Sequence, residues 1–257
     1  YGTRLLWPLS DQRVAWNVIS VIDPLFTLPI LLLLGVAIWK QRPAGSLLAA
    51  LWATSYLGFG LWQQAQAEAL LRDWAAREGL AVERSLVKPS FANLVVWRGL
   101  IDDGAHFHAV AIRVLPGTAP TVWRGATVEH LAEVPEPGSR RARDLARFRH
   151  FSSDWLFHHA DMDVGDQRFI GDFRYAIDPA SARPLWGVLG DPGRPEQRLD
   201  FRRSAAMPAA ERAHFFDRLF GRMPMRLHGD RPAAPIVSGS SAAAGKMSAP
   251  SDNSERP

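Results

Sequence analysis

Two apolar stretches near the start of the chain constrain what it can fold into more than any other feature. Val18 to Trp39 reads VISVIDPLFTLPILLLLGVAIW, and Gly45 to Trp62 reads GSLLAALWATSYLGFGLW. Each approaches the roughly 20 apolar residues that a helix needs to cross the hydrocarbon core of a bilayer. Trp16 and Trp39 flank the first stretch, where an indole can straddle the membrane–water interface. Lys40 and Arg42 end it, and Pro43 and Gly45 mark a short turn. The expected fold is a membrane protein: a two-helix transmembrane hairpin over 18–62, followed by a small α+β domain with an antiparallel sheet. Gly58 and Gly60 would let the second helix approach a neighbour closely. The plainer alternative is a buried core hairpin of a soluble protein. The length of both stretches and their terminal tryptophans count against it.

Asp23 stands a turn inside the first stretch, next to Pro24. An ionisable side chain at membrane depth is costly, so it is usually paired or functional. Two readings are open. Asp23 can sit at the interface as a helix N-cap, with Pro24 at the first helical position. Alternatively it faces other helices and holds a metal ion or a proton.

The net charge of +4 rests on arginine, lysine occurring only at Lys40, Lys88 and Lys246. Such a balance permits contact with anionic lipid or nucleic acid without requiring either. The absence of cysteine excludes disulfides, thiolate metal sites and cysteine nucleophiles. The chain begins at Tyr1, and Tyr1 to Gln12 has no signal-peptide pattern, so the expectation is a start upstream. Arg4, Arg13, Arg72 and Arg77 lie on one side of the hairpin, Lys40 and Arg42 on the other. That asymmetry favours a cytoplasmic soluble domain.

Beyond the hairpin and a juxtamembrane segment at 1–17, the chain divides into three parts. Residues 63–80 form a connecting helix with Leu70, Leu71, Trp74 and Leu80 on its apolar side and Gly79 as C-cap. Residues 81–230 form the soluble α+β domain. Strands are expected at 92–101 and 105–115, joined by the Asp102-Asp103-Gly104 turn, and at 121–126, 167–177 and 185–189. Helices are expected at 140–150 and 211–222, the latter with Phe215, Phe216, Leu219 and Phe220 on its apolar face. The stretch 151–158 is aromatic and expected to be buried. From 231 to 257 the chain is rich in Ala, Ser, Gly and Pro, and is expected to be a disordered tail.

No complete active site is legible. His106 and His108 could share a metal, but two exposed histidines beside a turn is the preferred reading. His158, His159, Asp161 and Asp163 supply the right ligand types for zinc or manganese without a fixed metal-site spacing. Adjacent histidines also point opposite ways on a strand. His130, His150, His214 and His228 are expected to be isolated surface residues. There is no GxSxG, GxxxxGK[ST] or GxGxxG. The arginines at 140, 141, 143, 147 and 149 could meet anionic lipid or nucleic acid, but a solvated helical face partly paired by Asp144 is preferred.

The runs YGTRLLWP at Tyr1–Pro8, RVAW at Arg13–Trp16 and ISVIDPLFTLP at Ile19–Pro29 resemble the YdjM-like family of inner-membrane, metal-dependent hydrolases. LVVWR at 94–98 and DFRY at 172–175 resemble its C-terminal extension. The resemblance implies an inner-membrane, multi-pass location and a divalent metal ion, zinc or manganese, that activates water. The family hallmark, a histidine motif of the HRxxTHS kind, is not in this sequence, nor are the histidine and aspartate that precede the YG run. The main ligands would then fall upstream of Tyr1. Only Asp23 is a matched polar position that could join a metal site.

Three functions remain, of which the first is preferred because the resemblance is specific at its strongest points. The first is a metal-dependent hydrolase whose catalytic head is absent from this chain, which would be inactive alone. The second is a non-enzymatic membrane-anchored interaction module with a protein partner. The third is a lipid or nucleic-acid binder using the arginine helix, with nucleic acid the weaker of its partners.

Overall fold

The computed structural model describes residues 6–10, 16–204 and 208–222, with the backbone alone at 210 and 211. The expected tail at 231–257, the basic residues Arg4 and Arg13, and His228 lie outside the described residues.

Helix α1 spans Pro24–Lys40 and α2 spans Ala44–Glu78. Helix α1 starts later than the apolar stretch. Asp23 is extended and caps the next turn, and Pro24 has no N–H to leave unsatisfied. At its other end Gln41 turns left-handed, at φ 49°, and returns its N–H to the last turn. The two helices pack against each other. A Cβ on Gly45 would meet Ala37 Cβ at 2.7 Å, and one on Gly60 would meet Val18. Gly58 by contrast faces open space.

The connecting helix at 63–80 is expected to continue the second apolar stretch and to end at Gly79, and it does so. The two form one helix of 35 residues, ended by Gly79 at φ 68°. The physical reason is plain: QQAQAEALLRDWAARE continues the helix with strong helix formers and no breaker. Its two halves have different surroundings. Leu47, Leu48, Leu51, Leu61 and Trp62 are exposed, whereas Gln63, Ala67, Leu71, Trp74 and Ala75 are buried. The second half does more than connect, because it packs on a sheet.

That sheet is an antiparallel meander of β1 (Arg84–Pro89), β2 (Val96–Asp102), β3 (His106–Arg113) and β4 (Thr121–Glu129). The β2–β3 turn is the expected one, with Gly104 at φ 91°. Gly99 of β2 is required by packing, since a Cβ there would meet Leu71 of α2 at 2.8 Å. Helix α3 (Arg140–Ser152) follows, capped by Ser139, whose Oγ accepts from the Ala142 N–H at 3.1 Å. A second antiparallel meander then forms from β5 (Leu156–His158), β6 (Arg168–Asp172), β7 (Trp186–Gly190) and β8 (Asp200–Arg203). Helix α4 spans Ala209–Leu219.

The expected single small sheet is thus two four-stranded sheets. The clusters of buried side chains order the layers. Leu71, Trp74 and Ala75 of α2 pack on Val87, Trp97, Ile101, Val110 and Ile112 of the first sheet. Leu100, Phe107 and Ala109 meet Trp155, Phe157 and Phe173 between the sheets. Leu145 and Phe148 of α3 cover Leu156, Ile170 and Val188 on the far face of the second. The α+β domain is a stack of helix, sheet, sheet and helix, consistent with alternate strand residues serving opposite faces.

Candidate functional site

Asp23 is 4% exposed. Its Oδ1 accepts from the N–H groups of Leu25 and Phe26 at 3.1 and 3.2 Å. The Tyr56 hydroxyl of α2 donates to Oδ2 at 2.9 Å and lies 3.1 Å from Oδ1. Phe26 and Trp52 flank the Tyr56 ring at centroid distances of 5.6 and 5.8 Å. The carboxylate is therefore a helix cap and a cross-link between α1 and α2. The divalent metal implied by the family resemblance fits these residues poorly. Both oxygens are already occupied by donors, and among the described residues no three His, Asp or Glu side chains gather around one point. They support no metal-dependent step.

The histidines divide. His108 is buried rather than exposed: Nδ1 meets Thr127 Oγ1 at 3.0 Å and Nε2 meets Asp103 Oδ2 at 2.8 Å. His106 lies 3.7 Å from the other oxygen of Asp103. Burial pushes the Asp103 carboxyl up, but the His108 bond, the N–H groups of Ala105 and His106 and the His108 charge outweigh it and hold it at about 2. His158 pairs with Asp163 at 2.8 Å. His159 turns elsewhere, and its burial lowers its pKa against the opposing pull of Asp161. The HHADMD run thus makes a pair, not a cluster. His150 and His214 are exposed as expected.

His130 is not the isolated surface residue expected. It stacks on Phe107 at 4.0 Å between ring centroids. Its Nε2 is 2.8 Å from Asp102 Oδ1, an ion-pair contact rather than an aligned hydrogen bond. Arg84 Nε binds the other Asp102 oxygen at 2.6 Å, and its guanidinium lies 4.6 Å from the Trp155 ring. Burial raises the Asp102 pKa, but the Gly104 N–H, Arg84 and the His130 charge together bring it below the usual carboxylate range. Arg84, Asp102 and His130 line an open groove of about 290 Å³ with Glu83, Arg149 and Asp154. The arginine helix is likewise not uniformly solvated. Arg141 is buried on Glu133 at 2.5 and 2.9 Å, and Arg149 donates to the Glu133 carbonyl at 3.1 Å. Arg147 keeps the expected contact with Asp144, at 3.5 Å.

A second polar group, between the sheets, has little signature in sequence. Lys88 of β1 stands opposite Arg98 of β2. Arg98 is buried and donates to the carbonyls of Phe173, Pro179 and Ser181 at 2.7, 2.7 and 2.9 Å. Arg174 grips Asp172 through Nε and Nη2 at 3.0 and 2.8 Å and donates to the Phe151 carbonyl at 2.8 Å. The Lys88 ammonium lies 3.5 Å from the centre of the Tyr175 ring. Burial, then the charge of Arg174, pushes the Lys88 amine down to about 7, with Asp172 opposing and Arg98 adding. Arg218 of α4 pairs with the buried Asp178. The DFRY run is thus a structural clamp. Lys88 is a partly neutral amine at neutral pH, a state in which a lysine can act as a base or nucleophile.

The inter-sheet seam therefore has an apolar middle, Leu86, Leu100 and Phe107, between two polar ends. One end holds Arg84, Asp102 and His130, and the other Lys88, Arg98 and Arg174. Alternation along β1 and β2 puts 84, 86 and 88 and 98, 100 and 102 on one face.

No curated protein matches the chain, and no solved structure matches it. The family model described as YdjM inner membrane protein matches residues 1–67. The match covers α1, Asp23, Tyr56 and the exposed half of α2, and stops before the sheets, so the runs at 94–98 and 172–175 lie outside it. Over those first 67 residues the chain is YdjM-like.

Proposed function

We propose that the protein is a membrane-anchored interaction module, in which residues 18–62 form a transmembrane hairpin and the layered domain works at the bilayer surface. The observation that carries this is the exposed apolar surface of the two helices. Leu25, Leu28, Leu31, Leu32 and Ile38 of α1 and Leu47, Leu48, Leu51 and Leu61 of α2 face outward. Only 22% of the apolar window of α2 is buried, unlike a core helix. Burying one such side chain is worth roughly 1.5–3 kcal/mol, so water is a poor environment for this surface and lipid a good one. Among the described residues α2 alone is both long and apolar enough to cross a bilayer, and α1 is a shorter apolar helix. Trp16, Trp39 and Trp62, all exposed, mark the two interfaces. The likeness of residues 1–67 to an inner membrane protein family supports the same reading.

The domain is assigned to the cytoplasmic side by the basic residues flanking the hairpin. Metal-dependent hydrolysis rests on the family resemblance alone and gains no support from the geometry of the described residues. The test exploits the absence of cysteine. Single cysteines are introduced as Arg42→Cys and Glu196→Cys and treated with an impermeant maleimide in intact cells and in inverted vesicles. Labelling of Arg42→Cys in cells and of Glu196→Cys in inverted vesicles is expected. Release of the protein from membranes by alkaline carbonate would sink the anchor. Labelling of both sites from one side would sink the two-span hairpin.

A further inference from the structure

Helix α4 has two apolar sides, of which the fold uses one. Phe215 and Arg218 are buried against the domain. Ala209, Ala213, Phe216 and Phe220 form a second stripe at helical spacing, and it is exposed. Phe216 and Phe220 are 50% and 59% exposed, and their rings stack at 6.4 Å. Arg212 and Arg222 border the stripe, and the Arg222 guanidinium sits 5.2 Å from the Phe220 ring. An apolar stripe edged by arginine suits the boundary between headgroups and acyl chains.

The fold also puts the C-terminal end of α4 at the right level. Arg113, the last residue of β3, donates through Nε to the Leu219 carbonyl at 3.4 Å. Its neighbour Val114 accepts from Gln63 of α2 at 3.0 Å. Gln63 directly follows Trp62, where the exposed apolar part of α2 ends. Phe91, 51% exposed, lies on the same rim, since Ala92 N donates to Ser20 Oγ just ahead of α1. The C-terminal end of α4 is thus tied, through Arg113 and Val114, to the point where the exposed apolar part of α2 ends.

We infer that α4 is an interfacial helix that sets Phe216 and Phe220 into the surface of an anionic bilayer, fixing the domain against the membrane that holds its anchor. This rests on the membrane reading of residues 18–62. The arginines meet lipid phosphates, and the phenylalanines occupy the acyl boundary.

The test places an environment-sensitive fluorophore on single cysteines in the full chain, reconstituted in vesicles of phosphatidylethanolamine and phosphatidylglycerol. The variants are Phe216→Cys, Phe220→Cys and, as the anchor reference, Leu32→Cys. The inference expects the probes at 216 and 220 to lose fluorescence to a nitroxide carried shallow on the lipid chain and to resist aqueous iodide. The Leu32 probe should respond to a deep nitroxide. If 216 and 220 are quenched by iodide and not by lipid nitroxide while Leu32 responds, the α4 inference fails and the anchor stands. If both are shielded from iodide and from lipid alike, protein covers the stripe and the inference also fails. If Leu32 is itself reached by iodide, the membrane reading fails. Phe216 and Phe220 are half-exposed, and Phe216 touches the buried Phe215 only edge-on at 5.5 Å, so a folded variant is expected at both positions.

Discussion

Gln63 donates its side-chain amide to the carbonyl of Val114 at 3.0 Å, and to that of Leu94 at 3.3 Å, from a position with no exposed surface. It is the first buried residue after the exposed half of α2, and it ties that helix to the ends of two strands. Gln63→Leu leaves both carbonyls without this donor, which costs about 1–3 kcal/mol. In detergent micelles the melting temperature should fall by several degrees while α1 and the first half of α2 keep their helical content. An unchanged melting temperature would mean that the amide is not what fastens helix to sheet.

The Asp23–Tyr56 contact predicts coupled losses. Asp23→Ala removes an N-cap, at about 1 kcal/mol, and strands the Tyr56 hydroxyl. Asp23→Asn keeps the cap and should cost less. Tyr56→Phe should cost clearly less in the Asp23→Ala background than in the parent, with a coupling of about 0.5–3 kcal/mol. Additive losses would deny the cross-link. On the same account, the metal content of purified protein is unchanged by Asp23→Asn, whereas a proportional drop would put the carboxylate in a metal site.

Lys88 predicts a pH signature. Its amine titrates at about 7 in the folded protein against 10.5 ordinarily, because it is buried and faces Arg174 and Arg98, only partly offset by Asp172. The unfolded chain holds this proton more tightly, so the lysine costs stability in full below pH 7, and the cost fades as pH rises towards 10.5. Lys88→Met should therefore raise the melting temperature by a few degrees at pH 6 and scarcely at all near pH 10. An equal effect at both values would contradict a depressed amine.

Asp103 carries the opposite sign. Burial works against its charge, yet His108 and the N–H groups of Ala105 and His106 hold it at about 2. Its contribution is present above pH 4 and is lost as pH falls towards 2. Acid titration of Asp103→Asn against the parent should show a stability gap at pH 6 that closes by pH 2. A gap independent of pH would assign the loss to packing instead.

Legibility in the sequence followed local chemistry. The Asp103-Gly104 turn and the Asp23-Pro24 helix start were readable because each is specified by adjacent residues. The edge strands β1 and β8 were not. RSLVKP ends in proline, and all of DFRR is exposed, so neither shows an apolar alternation. The two-sheet stack and the half-buried course of α2 depend on contacts between distant segments. His130 with Asp102, and Lys88 with Arg98 and Tyr175, are of the same kind. A lone histidine or lysine carries no spacing signal, and only the folded pairing brings such groups together.

On the membrane reading proposed above, lipid surrounds the exposed apolar surface of α1 and of the first half of α2, and the membrane ends at Gln63. Spin labels on single cysteines along 25–62, in protein reconstituted into vesicles, test this directly through their relative accessibility to oxygen and to a water-soluble nickel chelate. Oxygen access is expected to be greatest near Leu31 and Leu51, and nickel access to rise at Arg42 and Gln64. Nickel access at Leu31 and Leu51 equal to that at Arg42 would contradict that reading.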